Sequence, residues 1–235
     1  MSNFTTWRSL VDGEEIFITP DRVTNPPETV EYLIDPWILT DEYSDGDTVS
    51  DWTERITETS IPGSGTFRES VVGGTPAVEM NGVDDGFISD ITDVSDPHTF
   101  FAVVQPFSLQ DAQIACAVSG SNQFVLMEKE GNFNFRFNSN SNRTDEDIYS
   151  ANETLLVSGR CGGSESIGRV NKSQLVTIDQ DDLFSSLAFG LKGDSDDYHL
   201  EGYYLYQEVH DEALTDSEIE DAEDEIESMF RVSFD

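Results

Sequence analysis

The stretch 73–90, "GGTPAVEMNGVDDGFISD", decides how this chain is read. It holds Gly73, Gly74, Gly82 and Gly86, the adjacent acids Asp84 and Asp85, and a short apolar run. Such a segment suits a calcium loop, a phosphate loop, or a turn between strands. A phosphate loop ends in Gly-Lys-Ser/Thr ahead of a helix, whereas this stretch runs into β-pattern. It reads as a strand, "PAVEM", a turn at Asn81-Gly82, and a second strand starting at Phe87. Asn-Gly is a strong hairpin signal.

The β-pattern continues outward. "TFFAVVQPF" (99–107) is an apolar, β-branched and aromatic run, as expected of a strand buried on both faces. "AQIACAVSG" and "QFVLMEKEG" follow, each closed by glycine. In "NFNFRFNS" (132–139), Phe133, Phe135 and Phe137 fall on one face. Asn132, Asn134, Arg136 and Asn138 fall on the other. "LLVSGRC", "SIGRVN", "SQLVTID", "SSLAFGLKG" and "HLEGYYLYQEV" read as further strands. Short strands at regular spacing with turn signals mean a sandwich or barrel. One helix stands out, "LTDSEIEDAEDEIESMF". Thr215 and Glu218 have the spacing of a capping box, and Leu214 is placed to staple onto Ile219. Ile219, Ala222, Ile226, Met229 and Phe230 make its apolar stripe.

Residues 1–30 differ. Two short apolar runs, Trp7 to Val11 and Ile16 to Ile18, precede "TPDRVTNPPET". The Pro26-Pro27 pair continues neither a helix nor a central strand. The expected organisation is an arm and linker over 1–30 and one β-domain over 31–235.

The chain carries 48 acids against 12 bases, for a net charge of −36. The acids are dispersed, and only Lys129, Lys172 and Lys192 are lysines. Self-repulsion of this size destabilises a compact fold in dilute buffer. At about 1 M salt the Debye length is about 3 Å and the repulsion is screened. Aromatics at 11%, with 15 Phe, separate the chain from disordered acidic sequences. So acidic a surface repels phosphates, which argues against nucleic acid as a partner. The two cysteines, Cys116 and Cys161, sit in apolar strand-like segments without metal or redox spacing. The stretch "MSNFTTWRSLVDGEEIF" has neither a basic n-region nor an apolar h-region, so it does not read as a signal peptide. No apolar run approaches the roughly 18 residues of a membrane helix, and no membrane insertion is expected.

Three stretches together resemble a concanavalin A-like lectin/glucanase sandwich of the laminin G-like type. "DEYSDGDTVSDWTE" (41–54) is similar to the family's opening segment, where a turn and a Trp precede the first long strand. "GTPAVEMNGVDDGFI" (74–88) is similar to its lead into a "TFFAVV" strand. "YHLEGYYLYQEVHDEALTDSEIEDAEDEIESMF" (198–230) is similar to its closing strand and short helix. The resemblance spans about 40–230. It departs at Met80 and Gly86, where the family usually has aromatics, and at Tyr204–Tyr206, which lack apolar alternation. It implies an all-β fold: an antiparallel β-sandwich of jelly-roll, concanavalin A-like form. A short C-terminal helix and an N-terminal arm complete it.

The resemblance also sets expectations for function. The glucanase branch places E-x-D-x-x-E on one strand, so that two carboxylates flank a sugar bond. No strand-like segment here has that spacing, and His98, His199 and His210 have no nucleophile or metal-ligand spacing nearby. The expectation is a non-enzyme. The family often carries calcium at one rim, and hard cations need several loop oxygens. Asp194, Asp196 and Asp197 are the candidate ligands, with Asp84 and Asp85 in the opening stretch. No firm cofactor is expected, and calcium is the candidate ion. For a glycan the candidate residues are Asn140, Asn142 and Tyr149 in one loop and Asp194, Asp197 and Tyr198 in another. Asn138 is a further candidate. Each set equally suits a solvated loop. The sequons at Asn3, Asn142, Asn152 and Asn171 are acceptors only if the chain meets the glycosylation machinery.

This fold usually works outside cells, yet no export signal is read. A virion surface component of a halophilic virus satisfies both, assembled in the host cytoplasm and acting outside. A haloarchaeal tailed virus would need such charge. The arm residues Trp7, Leu10, Val11, Ile16 and Ile18 would dock onto other virion proteins. A homo-oligomer follows from the symmetry of such appendages. The target would be a host surface glycan or S-layer. The alternatives are a ligand-free structural decoration protein, a haloarchaeal cell-surface lectin or adhesin, and a glycoside hydrolase. The charge alone makes one prediction. Raising salt from dilute buffer to about 1 M should lift the thermal midpoint by about 10 °C, as several kcal/mol of repulsion are screened. An unchanged midpoint counts against a salt-adapted surface.

Overall fold

The computed structural model of the chain describes residues 9–11, 14–16, 21–89, 97–108, 113–117, 123–129, 132–137, 148–162, 166–178, 188–191 and 199–234. Strands β1 (Ser9–Val11) and β2 (Glu14–Ile16) form a two-stranded antiparallel sheet of their own. A one-turn helix, α1 (Asp21–Thr24), follows. The body then runs through β3 (Val30–Ile34), β4 (Thr48–Thr53), β5 (Ser60–Arg68), β6 (Ala77–Asn81), β7 (Gly86–Ile88) and β8 (His98–Pro106). Next come β9 (Gln113–Ala117), β10 (Gln123–Lys129), β11 (Asn132–Phe137), β12 (Leu155–Cys161), β13 (Ser166–Val170) and β14 (Ser173–Ile178). The chain closes with β15 (Ala188–Phe189), β16 (Glu201–His210) and helix α2 (Asp216–Phe230).

All described pairings are antiparallel, and they build a sandwich. The back sheet runs β5–β6–β16–β8–β12–β13–β14, with β3 on the far half of β16 and β4 on β5. The front sheet runs β11–β10–β9–β15–β7–β5. Strand β5 serves both. Gly63 and Ser64 pair with β7, while Thr66 to Arg68 pair with β6. Close approach at this crossing demands glycine. A Cβ on Gly63 would lie 2.3 Å from the Gly86 carbonyl oxygen and from the Phe87 ring.

The turn at Asn81-Gly82 is present, but it is not a hairpin. β6 pairs with β5 and β16, whereas β7 pairs with β5 and β15. The turn carries the chain from one sheet to the other. Asn81 Oδ1 holds it by accepting from the amides of Val83, Asp84 and Asp85 at 2.8, 3.1 and 3.3 Å.

Two apolar layers result. Between the sheets, Trp52 stands edge-on to Phe87, Phe189 and Tyr204, and Phe87 stacks on Phe189 at 5.0 Å. On the outer side of the back sheet, α2 lays Ile219, Ala222, Ile226, Met229 and Phe230 over Phe101, Val103 and Leu156. β8 is therefore buried on both faces, as its composition implied. The absent apolar alternation at Tyr204–Tyr206 is a β-bulge. Tyr204 enters the inter-sheet core, while Leu205 and Tyr206 join the layer under α2. The two other departures from the family pattern also have partners. Met80 sits against Gly190, and Gly86 leaves room for Leu191.

The expected boundary at residue 30 moves. Val23 is in the outer apolar layer and Arg22 is buried, so 21–30 belong to the body's packing. The capping box of α2 forms as expected, with Thr215 accepting from the Glu218 amide. Denaturant unfolding at about 1 M salt should show Thr215→Ala costing about 1 kcal/mol. Gly63→Ala should cost about 3 kcal/mol or more, because the added methyl meets backbone as well as a ring. A near-neutral Gly63→Ala would remove the crossing as a structural requirement.

Candidate functional site

Three places among the described residues bear on function: under α2, at the corner after β6, and at the front sheet. The first is a buried charge network. After the bulge in β16, Tyr206, Glu208 and His210 lie on the α2 side. Glu208 accepts from Arg22 Nε at 2.8 Å, from Tyr206 Oη at 2.5 Å and from His210 Nε2 at 3.1 Å. A second Arg22 nitrogen also bonds Glu208, and a third reaches Glu225 of α2. His210 Nδ1 is hydrogen-bonded to Thr29 Oγ1 at 2.8 Å. Burial pushes the Glu208 carboxyl up, but the His210 hydrogen bond and the Arg22 charge outweigh it and hold it at about 2. Burial lowers Arg22, and the Glu208 charge outweighs that and raises it. Burial, joined by the Glu208 charge, pushes the Tyr206 phenol well up.

A second buried pair lies nearby. Arg169 donates to Glu223 at 2.9 and 2.8 Å, and Ser158 adds a hydroxyl at 2.7 Å. Glu223 is buried, unlike Glu220, Asp221, Asp224 and Glu225 beside it, which are exposed. The carboxylates at the centre of both networks, Glu208 and Glu223, are fully buried. They fasten α1 and α2 to the back sheet.

The corner joins the opening stretch to His199 and Leu200. Asp85 accepts from Ser64 Oγ at 2.6 Å and from the Asn81 amide at 3.1 Å. Asp84 accepts from Asn81 Nδ2 at 2.7 Å. His199 Nδ1 donates to the Asp85 carbonyl oxygen at 2.7 Å, and Gly82 donates to Leu200 at 3.0 Å. The acids of the opening stretch are thus spent on holding the turn. Among the described residues no group of three metal-ligating side chains is gathered.

The predicted residues divide as follows. Tyr149 is 5% exposed and packs in the inter-sheet core, so it offers no ring to a sugar; this corrects its assignment to a binding loop. Asn138, Asn140, Asn142, Asp194, Asp196, Asp197 and Tyr198 lie outside the described residues, as do Trp7 and Ile18. Leu10, Val11 and Ile16 belong to the separate two-stranded sheet.

The third place is the front sheet. Phe87 and Phe189 pair in register and are core residues. Phe189 is opposite Cys116, Cys116 opposite Phe124, and Phe124 opposite Phe137. Directly opposed residues share a face, so the register places Phe137 and Phe124 on the same face as Phe189. The other face carries Ile88, which is 41% exposed. The back sheet's outer side is covered by α2. Sequence reasoning missed this distinction, although the alternation in "NFNFRFNS" was its visible half. It also missed Arg22, Glu208, His210, Arg169 and Glu223. For Glu208, His210 and Arg169 the signal was a charged residue set within an apolar strand; Arg22 and Glu223, on α1 and α2, gave none.

No family model matches the chain, and no curated protein matches it. Solved structures do. One is domain 4 of AbnA, a GH43 extracellular arabinanase from Geobacillus stearothermophilus, in complex with arabinotriose. It is 14% identical with a TM-score of 0.55, over 76% of this chain and 98% of that one. The Trypanosoma rangeli sialidase is 12% identical with a TM-score of 0.59, over 97% of this chain. This chain spans only 36% of that sialidase. A mutant of the same sialidase displaying trans-sialidase activity is 12% identical with a TM-score of 0.58, over 87% and 34% of the two chains. These likenesses show the antiparallel β-sandwich fold.

The buried network makes a pH prediction. The folded Glu208 carboxyl lies below its ordinary value of 4.5. Its contribution, about 3 kcal/mol, is therefore present above about pH 4.5 and lost as pH falls toward 2. Unfolding at about 1 M salt across that window should show Glu208→Gln with a shallower loss than the parent chain. Parallel curves would show that the carboxylate is not held by its partners.

Proposed function

We propose that this chain is a non-enzymatic, lectin-like protein that binds a glycan through its sandwich. The observation that carries this reading is the asymmetry of the two sheets. Among the described residues, helix α2 covers the back sheet's outer side and no helix packs on the front sheet, where Ile88 is 41% exposed. A sheet face without such a cover is a natural ligand surface. The fold likeness to a domain solved with arabinotriose supports the same reading. A non-enzymatic role is supported by the one buried strand acid among the described residues. Glu208 is locked in an interior pair rather than presented to a substrate.

The finer reading is a virion surface component of a halophilic virus: a turret, decoration or tail-fibre protein. Two features support it. The net charge of −36 suits molar salt, and β1–β2 form a sheet separate from the sandwich. A two-stranded sheet alone is marginal in water, so it would gain stability by docking onto another virion protein. Leu10, Val11 and Ile16 sit in it. Calcium is not required by the described corner. A ligand-free decoration protein is the alternative reading.

A glycan array probed in about 1 M salt tests the leading reading. Saturable binding without release of reducing sugar is expected. No binding anywhere on the array favours the structural decoration protein, and sugar release overturns the non-enzymatic assignment. Detection of the chain in purified particles by mass spectrometry tests its place on a virion.

A further inference from the structure

The structure assigns Asn152 as an acceptor for an N-linked glycan and closes Asn171, which the same sequence pattern marks, to that modification. The proposal goes beyond the glycan-binding reading and does not depend on it. It comes from the opposite placement of the two sequons that lie among the described residues.

The pattern Asn-x-Ser/Thr occurs at Asn152-Glu153-Thr154 and at Asn171-Lys172-Ser173. Asn152 is exposed, in the turn ahead of β12. Its backbone is held. The amide donates to the Pro106 carbonyl at 2.7 Å, and the carbonyl accepts from Gln105 Nε2 at 2.9 Å. Its φ is 63°, a left-handed conformation that asparagine tolerates. Among the described residues no hydrogen bond engages its side-chain amide. Glu153 turns its carboxylate away, accepting from the Ser150 amide at 2.7 Å and from Asn171 Nδ2 at 3.2 Å. Thr154 Oγ1 accepts from Gln105 Nε2 at 3.1 Å, which leaves its own proton to donate to an enzyme that reads the sequon.

Asn171 is the reverse. With Lys172 it makes the two-residue turn between β13 and β14, where Val170 pairs with Ser173 and both turn residues have positive φ, 48° and 63°. Asparagine suits such a turn for the backbone alone. Its side chain ties the turn to β12. Oδ1 accepts from the Leu156 amide at 3.0 Å, and Nδ2 is the donor to Glu153. The Asn171 amide adds a bond to the Leu156 carbonyl at 2.8 Å. The incoming group is a sugar activated as a polyisoprenyl phosphate ester, brought by its transferase. The amide nitrogen bonds to the anomeric carbon, the bond from that carbon to phosphate oxygen breaks, and the nitrogen gives up one proton as the phosphate leaves. Nothing is oxidised or reduced. Asn171 must first open its turn, whereas Asn152 meets the donor as it stands. The product is a bulky, solvated group, which an exposed turn accommodates.

The test treats the full folded chain, at about 1 M salt, with a salt-tolerant oligosaccharyltransferase and a lipid-linked oligosaccharide. Mass spectrometry then maps occupancy site by site. Asn152 should carry the glycan. Asn171 should carry it about tenfold or more less often, because two hydrogen bonds of its side chain must break first. A synthetic peptide of residues 166–178, in which no packed turn holds the sequon, should be modified at Asn171. Asn152→Gln and Thr154→Ala should each abolish modification at 152. Thr154→Ala keeps the asparagine that the positive φ favours, so its loss reports the sequon rather than the backbone. Thermal midpoints of both variants identify any effect of unfolding. Asn152 left bare in the folded chain overturns the proposal, as does equal occupancy at Asn152 and Asn171, or modification that survives Thr154→Ala. A peptide left bare at Asn171 overturns the assignment of that protection to the fold.

Discussion

The sandwich depends on one strand that belongs to two sheets. β5 pairs with β7 at Gly63 and Ser64 and with β6 from Thr66 onward. Two sheets pack about 10 Å apart, so a strand shared between them must pass where backbones nearly touch. Gly63 and Gly65 permit that passage. A Cβ on Gly65 would lie 2.3 Å from Val78, as close as Gly63's would lie to Gly86 and Phe87. Around the crossing gather Trp52, Phe87, Phe189 and Tyr204, whose mostly edge-on contacts fill the space between the sheets. The corner at Asn81–Asp85 completes the passage, and His199 ties the later chain to it.

Electrostatics organises the second layer. A chain this acidic has few bases, and four of its arginines are spent on specific carboxylates: Arg22 on Glu208, Arg169 on Glu223, Arg55 on Asp35, and Arg160 on Asp216. The first two carboxylates are wholly buried, where an unpaired charge would cost several kcal/mol. The Arg22, Arg169 and Arg160 pairs tie α1 and α2 to the back sheet. Lys172 adds a bridge to Asp224 and Glu227 near the end of α2.

Much of the fold was legible because its signals are local. The burial of 99–106 followed from an unbroken apolar run, and the α2 stripe and capping box from spacing of three and four residues. The failures were non-local. Asn81-Gly82 carries a hairpin signal, but a turn residue cannot say which strand will accept the next one. Tyr149 sits in a polar stretch, and only the closing of the sheets over Leu155 and Val157 places its ring in the core. Glu208 and Arg22 are 186 residues apart, and nothing local links them.

The sequence by itself determined the alternation of Phe with Asn and Arg in β11, the identity of the strands, the capped helix and the extreme charge. These depend on neighbours within a few residues, where side-chain period and backbone preference act. Only the tertiary structure decided which positions of β11 share a face with the core residue Phe189. That register runs from Phe137 through Phe124 and Cys116 to Phe189, from three consecutive strands to the remote β15. Period two is symmetric between faces, and the packing of the second sheet breaks the symmetry.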